Sequence, residues 1–110
     1  MAVQKTRLFA PTVVSDGAGT VLFTLAAAPT NLIFSGGVIR FANTTAGAVV
    51  ISAYVGTVAD GNSFVKAKSI AANDYLDVAV PRMLASQLVT AVAGAASSIT
   101  ASQLAGDIYS

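Results

Sequence analysis

The chain has 110 residues, the size of one domain, and its six Lys and Arg residues against five Asp residues leave a formal net charge of +1. So small a charge excludes the strong positive field that draws most nucleic-acid-binding domains to their ligand, or a protein to an anionic membrane. His, Cys, Glu and Trp are absent, which excludes disulfides, thiolate or imidazole metal sites and Ser–His–Asp triads, so we expect no metal, no cofactor and no enzyme activity.

The composition is unusually apolar. Hydrophobic residues make up 55% of the chain and charged residues 10%, where soluble domains average about 45–50% and about 25%. A surface so poor in charge tends to associate, so we expect the chain to work in an assembly. No apolar run approaches the roughly 18 residues of a membrane span, and the first residues lack the pattern of a secretory signal, so we expect a protein made in the cytoplasm.

The first half of the chain shows the period-two alternation and the Gly, Asn and Asp turns of β structure. Residues 6–14 predict a first strand, with Pro11 at an edge or bend, and the Asp-Gly sequence within Ser15–Gly19 predicts a hairpin turn. The next run places three apolar residues on one face: Val21, Phe23 and Leu25. Residues 31–43 form a further run, in which Gly36 and Gly37 indicate either a turn or a bulge.

The stretch RFANTTAGAVVISAYVG predicts a strand, a turn at residues 43–47 and a second strand, a hairpin at the centre of a sheet. Ile39 and Phe41 are expected to point inward and Arg40 outward. In the second strand the alternation separates two sets, with Val49, Ile51, Ala53 and Val55 on one face and Val50, Ser52 and Tyr54 on the other.

The second half continues the pattern. A turn at Asp60-Gly61 leads to a strand over residues 63–71, from which Lys66 and Lys68 are expected to project on one side. The next strand alternates Leu76, Val78 and Val80 with Asp77 and Ala79. Residues 82–87 indicate a short helical turn or a loop, and two last strands flank residues 95–98. About eight antiparallel strands result, so the prediction is a single all-β domain over residues 1–110, a β-sandwich or jelly roll.

No motif indicates catalysis. Asp74 and Asp77 lie three residues apart, a spacing that puts them on opposite faces of a strand, so we expect a turn residue and a solvent-facing residue instead of paired carboxylates. Asp16 and Asp60 precede Gly and predict turns, because the further acidic ligands of a calcium loop are missing.

The cations and tyrosines are the candidates for contact with a partner. Lys5 and Arg7 lie two residues apart, as do Lys66 and Lys68, whereas Arg40 and Arg82 stand alone in the sequence. Solvated strand faces explain these cations without a partner, and contact with an acidic protein surface is the alternative. Tyrosines can anchor interfaces or stack on sugars, and the chain has three, Tyr54, Tyr75 and Tyr109.

Three segments carry a resemblance: LIFSGGVIRFANTTAGAVVISAYVG, SIAANDYLDV and LVTAVAGAASSITASQLAGDIY. Their apolar strand ending in Asn-Thr-Thr, their Tyr-x-Gly strand end, their IAAND corner and their final Ala/Thr/Ser-rich hairpin resemble small β-rich virion proteins of tailed bacteriophages. The resemblance covers roughly residues 32–109. In size, and in having no extra domain, the chain looks most like the capsid decoration proteins of short-tailed phages, also called cement or stapling proteins.

This resemblance implies a jelly roll on the outside of the capsid, made in the host cytoplasm and without catalytic residues. Its partners would be the major capsid protein and further copies of itself, as a homodimer or a higher assembly. An extended N-terminal arm, residues 1–9, would then lie along a neighbouring subunit. The expected partner contacts are Lys5, Arg7, Leu8 and Phe9 in the arm and Lys66, Lys68 and Tyr109 elsewhere. Two other functions stay open: a head-fibre or tail adhesin module that binds a host-surface glycan, and a tail or neck ring subunit.

Overall fold

The computed structural model describes residues 3–110, and within them it contains ten β-strands and one 3₁₀ turn. The strands are β1 (Val3–Gln4), β2 (Thr12–Val14), β3 (Thr20–Thr24), β4 (Ile33–Asn43), β5 (Val49–Val55), β6 (Ser63–Ile70), β7 (Tyr75–Ala79), β8 (Met83–Leu84), β9 (Leu88–Ala93) and β10 (Ile99–Tyr109). The 3₁₀ turn, Asp60–Asn62, lies just before β6. The predicted all-β class is confirmed.

The strands form two antiparallel sheets. In the first sheet β10 and β4 are central, β1 and β2 both pair with β10, and β7 and β8 both pair with β4. In the second sheet the order is β3, β9, β5, β6. Because β1 and β2 share one edge and β7 and β8 share another, the ten strands occupy eight positions.

Those eight positions pair in a nested way. The first position along the chain pairs with the last, the second with the seventh, the third with the sixth and the fourth with the fifth. This is a long antiparallel ribbon folded over on itself, the topology of a jelly roll, so the more specific of the two predicted architectures is present.

Apolar side chains from both sheets meet between them. Ile39 and Phe41 on β4 and Ile51 and Ala53 on β5 are buried, as the alternation predicts, while Arg40 points outward. However, β4 and β5 belong to different sheets, so the predicted hairpin is wrong although each strand is central in its own sheet. The turns at residues 15–19 and 95–98 likewise cross between sheets. In the described chain, β5 and β6 are the only consecutive strands that pair with each other.

Bulges on β3, β4 and β6 account for three differences from a simple alternation of inward and outward side chains. On β3 the register shifts between Val21 and Phe23, so Leu22 joins Phe23 in the core and Val21 is 53% exposed, contrary to the predicted face. β4 runs through Gly36 and Gly37 without turning back, and its register with β10 shifts there. The two glycines therefore mark a bulge and not a turn. Gly36 has φ +71°, a conformation that favours glycine.

A bulge on β6 separates the two lysines. Val65 lies opposite Ala53 and Lys68 opposite Ile51, both of them core residues of β5, so Lys68 is on the inner face at the sheet edge and Lys66 is on the outer face. The residue between them, Ala67, has φ +48° and its N–H donates to the Ser52 hydroxyl at 2.8 Å. The prediction that both lysines project from one side is therefore wrong.

Two short elements also differ from the sequence interpretation. Residues 82–87 contain β8, which pairs with Phe34 and Ile33 at the end of β4, followed by a turn, so no helical turn forms there. The predicted strand over residues 6–14 is reduced to β2, because residues 5–11 run outside any ladder.

Asn43 is a buried polar residue whose side chain connects three segments. Its exposed fraction is 2%, and its Nδ2 donates to the carbonyl oxygens of Gly47 at 2.8 Å and Ile70 at 3.0 Å. Its Oδ1 accepts from the Thr45 backbone N–H at 3.0 Å and the Thr45 hydroxyl at 2.7 Å. One side chain thus holds the β4–β5 turn against the end of β6.

We predict that Asn43→Ala lowers the free energy of unfolding by about 2–4 kcal/mol, because it removes the side-chain hydrogen bonds to the buried Ile70 carbonyl, the Gly47 carbonyl and the Thr45 N–H. Asn43→Asp should lower the free energy of unfolding further at pH 7, because a carboxylate cannot donate to carbonyl oxygens and its charge would be buried. Urea unfolding measures both. Asn62→Ala is the control, because it removes a surface hydrogen bond from Nδ2 to the Thr57 carbonyl at 3.0 Å. It should lower the free energy of unfolding by less than about 1 kcal/mol. Equal losses of stability at the two sites would contradict the role assigned to Asn43.

The arm is attached to its own domain, as far as the structure describes it. Met1 and Ala2 lie outside the described residues, β1 pairs with the end of β10, and Phe9 is 8% exposed. The Phe9 ring stacks on Phe23 with centroids 5.7 Å apart, and Phe23 meets Phe34 edge-on at 5.4 Å. Phe9 is therefore a core residue in this conformation, which leaves it no surface for the predicted partner contact.

We predict that Phe9→Ala lowers the free energy of unfolding by about 3 kcal/mol, and that deleting residues 1–9 costs at least as much. Among the described residues, a deletion of 1–6 removes only the exposed residues 3–6 and the two-residue β1 ladder, so it should cost about 1 kcal/mol or less. Thermal and urea unfolding of the three variants separate these effects. Equal stability of the two deletions would show that Phe9 is not part of the core.

Candidate interaction surface

An apolar row crosses the outer face of the first sheet beside the chain ends. Val3 pairs with Tyr109, Tyr109 with Ile33, and Ile33 with Leu84, so the four side chains form a row across β1, β10, β4 and β8. Their neighbours Ile108, Phe34 and Met83 are buried, so alternation puts the row on the outside. Val3 is 47% and Leu84 54% exposed, which makes this a surface that a partner could cover.

Cations lie next to this row. Asp107 pairs with Ser35 in the adjacent outward position, with Lys5 on one side and Arg82 on the other. The Lys5 ammonium is 3.6 Å from an Asp107 carboxylate oxygen, but the Lys5 side chain is 78% exposed, so the pair is weak. Together the apolar row, these four residues and the nearby Arg7 form what we call the terminal face, which carries three cations and one carboxylate.

Two open grooves lie side by side on the terminal face. The tyrosine groove, about 380 Å³, is lined by Ile33, Ser35, Arg82 and Tyr109. The arm groove, about 370 Å³, lies between residues 5–7 of the arm and residues 103–107 of β10, and Gly36 also lines it. Ser35 and Asp107, one from each groove, are register partners, so the grooves are contiguous. A partner that covered the terminal face could fill both.

The structure therefore groups only part of the predicted contact set. Lys5, Arg7 and Tyr109 all belong to the terminal face. Leu8 is half-buried against the core, and its N–H donates to the Gln103 side chain. The lysines of β6 lie on the second sheet, where Lys66 forms an ion pair with Asp60.

Arg40 does not stand alone in the fold. It is the cross-strand neighbour of Asp77, and its Nε and Nη2 donate to the two carboxylate oxygens at 2.8 and 3.0 Å. Its guanidinium carbon lies 4.0 Å from the centroid of the Tyr75 ring. The hydrogen bonds from Arg40 hold the pKa of the Asp77 carboxyl below its usual value, with the positive charge adding to the effect and partial desolvation opposing it. Asp77 is thus the solvent-facing strand residue that the sequence predicts.

The predicted turn carboxylates are also turn residues. Asp74 accepts the Tyr75 N–H at 2.8 Å within the β6–β7 turn. Asp60 begins the 3₁₀ turn, and the hydrogen bond and charge of Lys66 lower its pKa. No group of three or more metal-ligating side chains occurs within residues 3–110, and no helix in that range is long and apolar enough to cross a membrane.

A scan against protein-family models finds no match for this chain, and searches of curated proteins and of solved structures find none either.

We predict that the Arg40–Asp77 pair contributes a small stability term that depends on pH. The pKa of Asp77 is lower in the folded than in the unfolded chain, so the contribution is present above about pH 4 and is lost as the pH falls through the folded-state value. Thermal unfolding from pH 7 to pH 2 should show Asp77→Asn less stable than the parent at neutral pH and equal to it at the acid end.

The matching variant Arg40→Gln and the double variant complete the test. The coupling free energy between Arg40 and Asp77, obtained from the parent, the two single variants and the double variant, should be measurable at pH 7 and vanish near pH 2. A constant difference between Asp77→Asn and the parent over the whole range would contradict the electrostatic explanation.

Proposed function

We propose that this chain is a structural virion protein of a bacteriophage, which decorates the outside of the capsid and stabilises it through repeated non-covalent contacts with the major capsid protein. The resemblance of residues 32–109 to small β-rich virion proteins suggests the setting. The terminal face is the observation that carries the proposal: an exposed apolar row beside three cations on a rigid sheet. Such a face suits association with an acidic protein surface.

The jelly roll supports this role because both of its sheets are fixed by long-range pairing. The two longest strands, β4 and β10, pair along almost their whole length and lie under the terminal face. A rigid face loses little conformational freedom on docking, so even a modest contact area can contribute to affinity. Repetition of the contact over a capsid lattice then multiplies its effect. In this role the chain would need no catalytic group.

An adhesin module that binds a glycan is the second candidate, and one observation favours it. Tyr75 is 53% exposed on the outer face of the first sheet, and Arg40 lies against its ring. An exposed tyrosine ring beside a guanidinium could stack on a sugar and donate to its hydroxyl groups. Tyr75 lies at the opposite end of β4 from Ile33, so this surface is distinct from the apolar row.

We predict that the purified chain rebinds phage shells stripped of it and raises their melting temperature, and that Leu84→Asp lowers its occupancy on the shell at least tenfold. A carboxylate in the apolar row would be desolvated without a partner and would face an acidic surface. Shell pelleting with a fluorescent chain gives the occupancy, and calorimetry gives the shell melting temperature.

Val21→Asp is the matched control. Val21 is exposed to nearly the same extent as Leu84, 53% against 54%, and also lies on an edge strand, but on the second sheet. The Val21→Asp variant should occupy the shell to the same extent as the parent chain. Equal loss in both variants would reject the terminal face as the docking surface. Failure of the parent chain to bind any shell, together with glycan binding that Tyr75→Ala abolishes, would favour the adhesin function.

A further inference from the structure

One edge of the first sheet has a gap in the described chain. β2 pairs with residues 99–101 of β10, and β1 pairs with residues 108–109, so residues 102–107 have no strand partner on that side. On the other side, β4 pairs along the same stretch of β10. A stretch of central strand therefore has an open edge in the middle of an otherwise paired sheet, which is a natural place for a further strand to add.

The side chain of Gln103 spans part of this gap. The Leu8 N–H donates to Gln103 Oε1 at 2.6 Å, and Gln103 Nε2 donates weakly to the Thr6 carbonyl at 3.4 Å. An amide side chain thus occupies the place of a strand's backbone peptide group. These hydrogen bonds link the arm to β10, and the arm groove, about 370 Å³, lies between residues 5–7 of the arm and residues 103–107 of β10. The gap is therefore an open groove between the arm and β10.

The walls of the groove combine backbone, apolar and cationic groups. Leu104 lines it and is 49% exposed, because the register with β4 shifts at this residue. Lys5 and Arg7 lie on the arm side and Asp107 on the β10 side. Lys5 faces Asp107, whereas Arg7 has no ion-pair partner within residues 3–110. The uncompensated charge in the groove is therefore positive, at Arg7.

We propose that the arm groove binds an extended segment of a partner protein, which adds as a short strand beside residues 104–107 of β10 and places a carboxylate against Arg7. The open edge would give backbone hydrogen bonds, and the guanidinium would select an acidic side chain. The identity of the partner rests on the proposed function, in which the capsid shell supplies the segment. The chemistry of the segment rests on the groove alone.

The first experiment uses a defined probe. A capped pentapeptide of alternating threonine and valine with a central glutamate is titrated into the full chain labelled with ¹⁵N, and the same peptide with central glutamine is the comparison. We expect chemical-shift changes concentrated at residues 5–8 and 102–107, and about fivefold tighter binding of the glutamate peptide. No shift changes at millimolar peptide, or changes centred on another edge, would overturn the proposal.

Two pairs of variants test the contact between Arg7 and the carboxylate and the position of the bound segment in the groove. Arg7→Gln should abolish the preference for glutamate, whereas Lys68→Gln, which removes the same charge from the second sheet, should preserve it. Ala105→Phe should block the groove, whereas Ala79→Phe should not, because both alanines are exposed register partners of Val38 but only Ala105 lines the groove. Preference retained in Arg7→Gln would overturn the assignment of the carboxylate contact, whether or not the Ala105 variant folds.

Shell binding separates this inference from the proposed function. If stripped shells take up the parent chain and Ala79→Phe but not Ala105→Phe or Arg7→Gln, both proposals stand. If Arg7→Gln and a folded Ala105→Phe bind shells as well as the parent, the groove is not the docking site although the function holds. If the peptide binds in the groove but no shell binds the chain, the strand-addition site holds and the capsid function fails.

Discussion

The amide of Asn43 is the interaction on which the two-sheet arrangement most directly depends. At this point the chain leaves β4 in the first sheet and enters β5 in the second, and a corner of this kind exposes backbone groups that neither ladder can pair. The amide pairs with carbonyls from the turn and from the end of β6, and with the N–H of Thr45. The Asn43 N–H, in turn, donates to the Asp74 carbonyl at 2.8 Å. The Asn73 N–H also donates to the Thr45 carbonyl at 3.1 Å, so Asn43 and this backbone bond together hold the two turns at this end of the sandwich.

The nested topology explains why the terminal face is well formed. Because the first and last positions of the ribbon are neighbours, residues from the start, middle and end of the sequence meet there. Each strand alone contributes one large apolar side chain to the row, and only lateral pairing makes a continuous surface of them. The same pairing leaves the gap between β1 and β2, since residues 5–11 do not follow β10 closely. Surface and groove thus have a common origin in the way the two ends meet.

For β4, β5 and β7 the sequence was sufficient to predict the local structure. Alternation over β4, β5 and β7 located strands and inward-facing residues correctly, because burial on one face imposes a period of two. Pairing between distant strands left no such local signal. A turn such as residues 43–47 has the same Asn and Gly composition whether it closes a hairpin or crosses between sheets, so the sequence could not distinguish the two.

Bulges and the terminal face were the other parts that local patterns could not give. The shift at Leu22 depends on how β3 meets β9, and the separation of Lys66 from Lys68 depends on how β6 meets β5. Of the terminal face, Lys5, Arg7 and Tyr109 were among the predicted contacts, whereas Ile33, Arg82 and Leu84 were not. Their exposure follows from the register of β4 with β8 and β10, and the one available hint was the unusually low charge of the whole chain.

The pairing of Val3 with Tyr109 has a practical consequence for anyone handling this molecule. A purification tag or a fused domain joined at either end would lie close to the terminal face and would cover the surface through which we expect the chain to dock. Foreign sequences are better inserted at the turn of residues 16–18, which are exposed and join β2 to β3, because Val14 pairs with Ile99 at the other end of β10 from Tyr109.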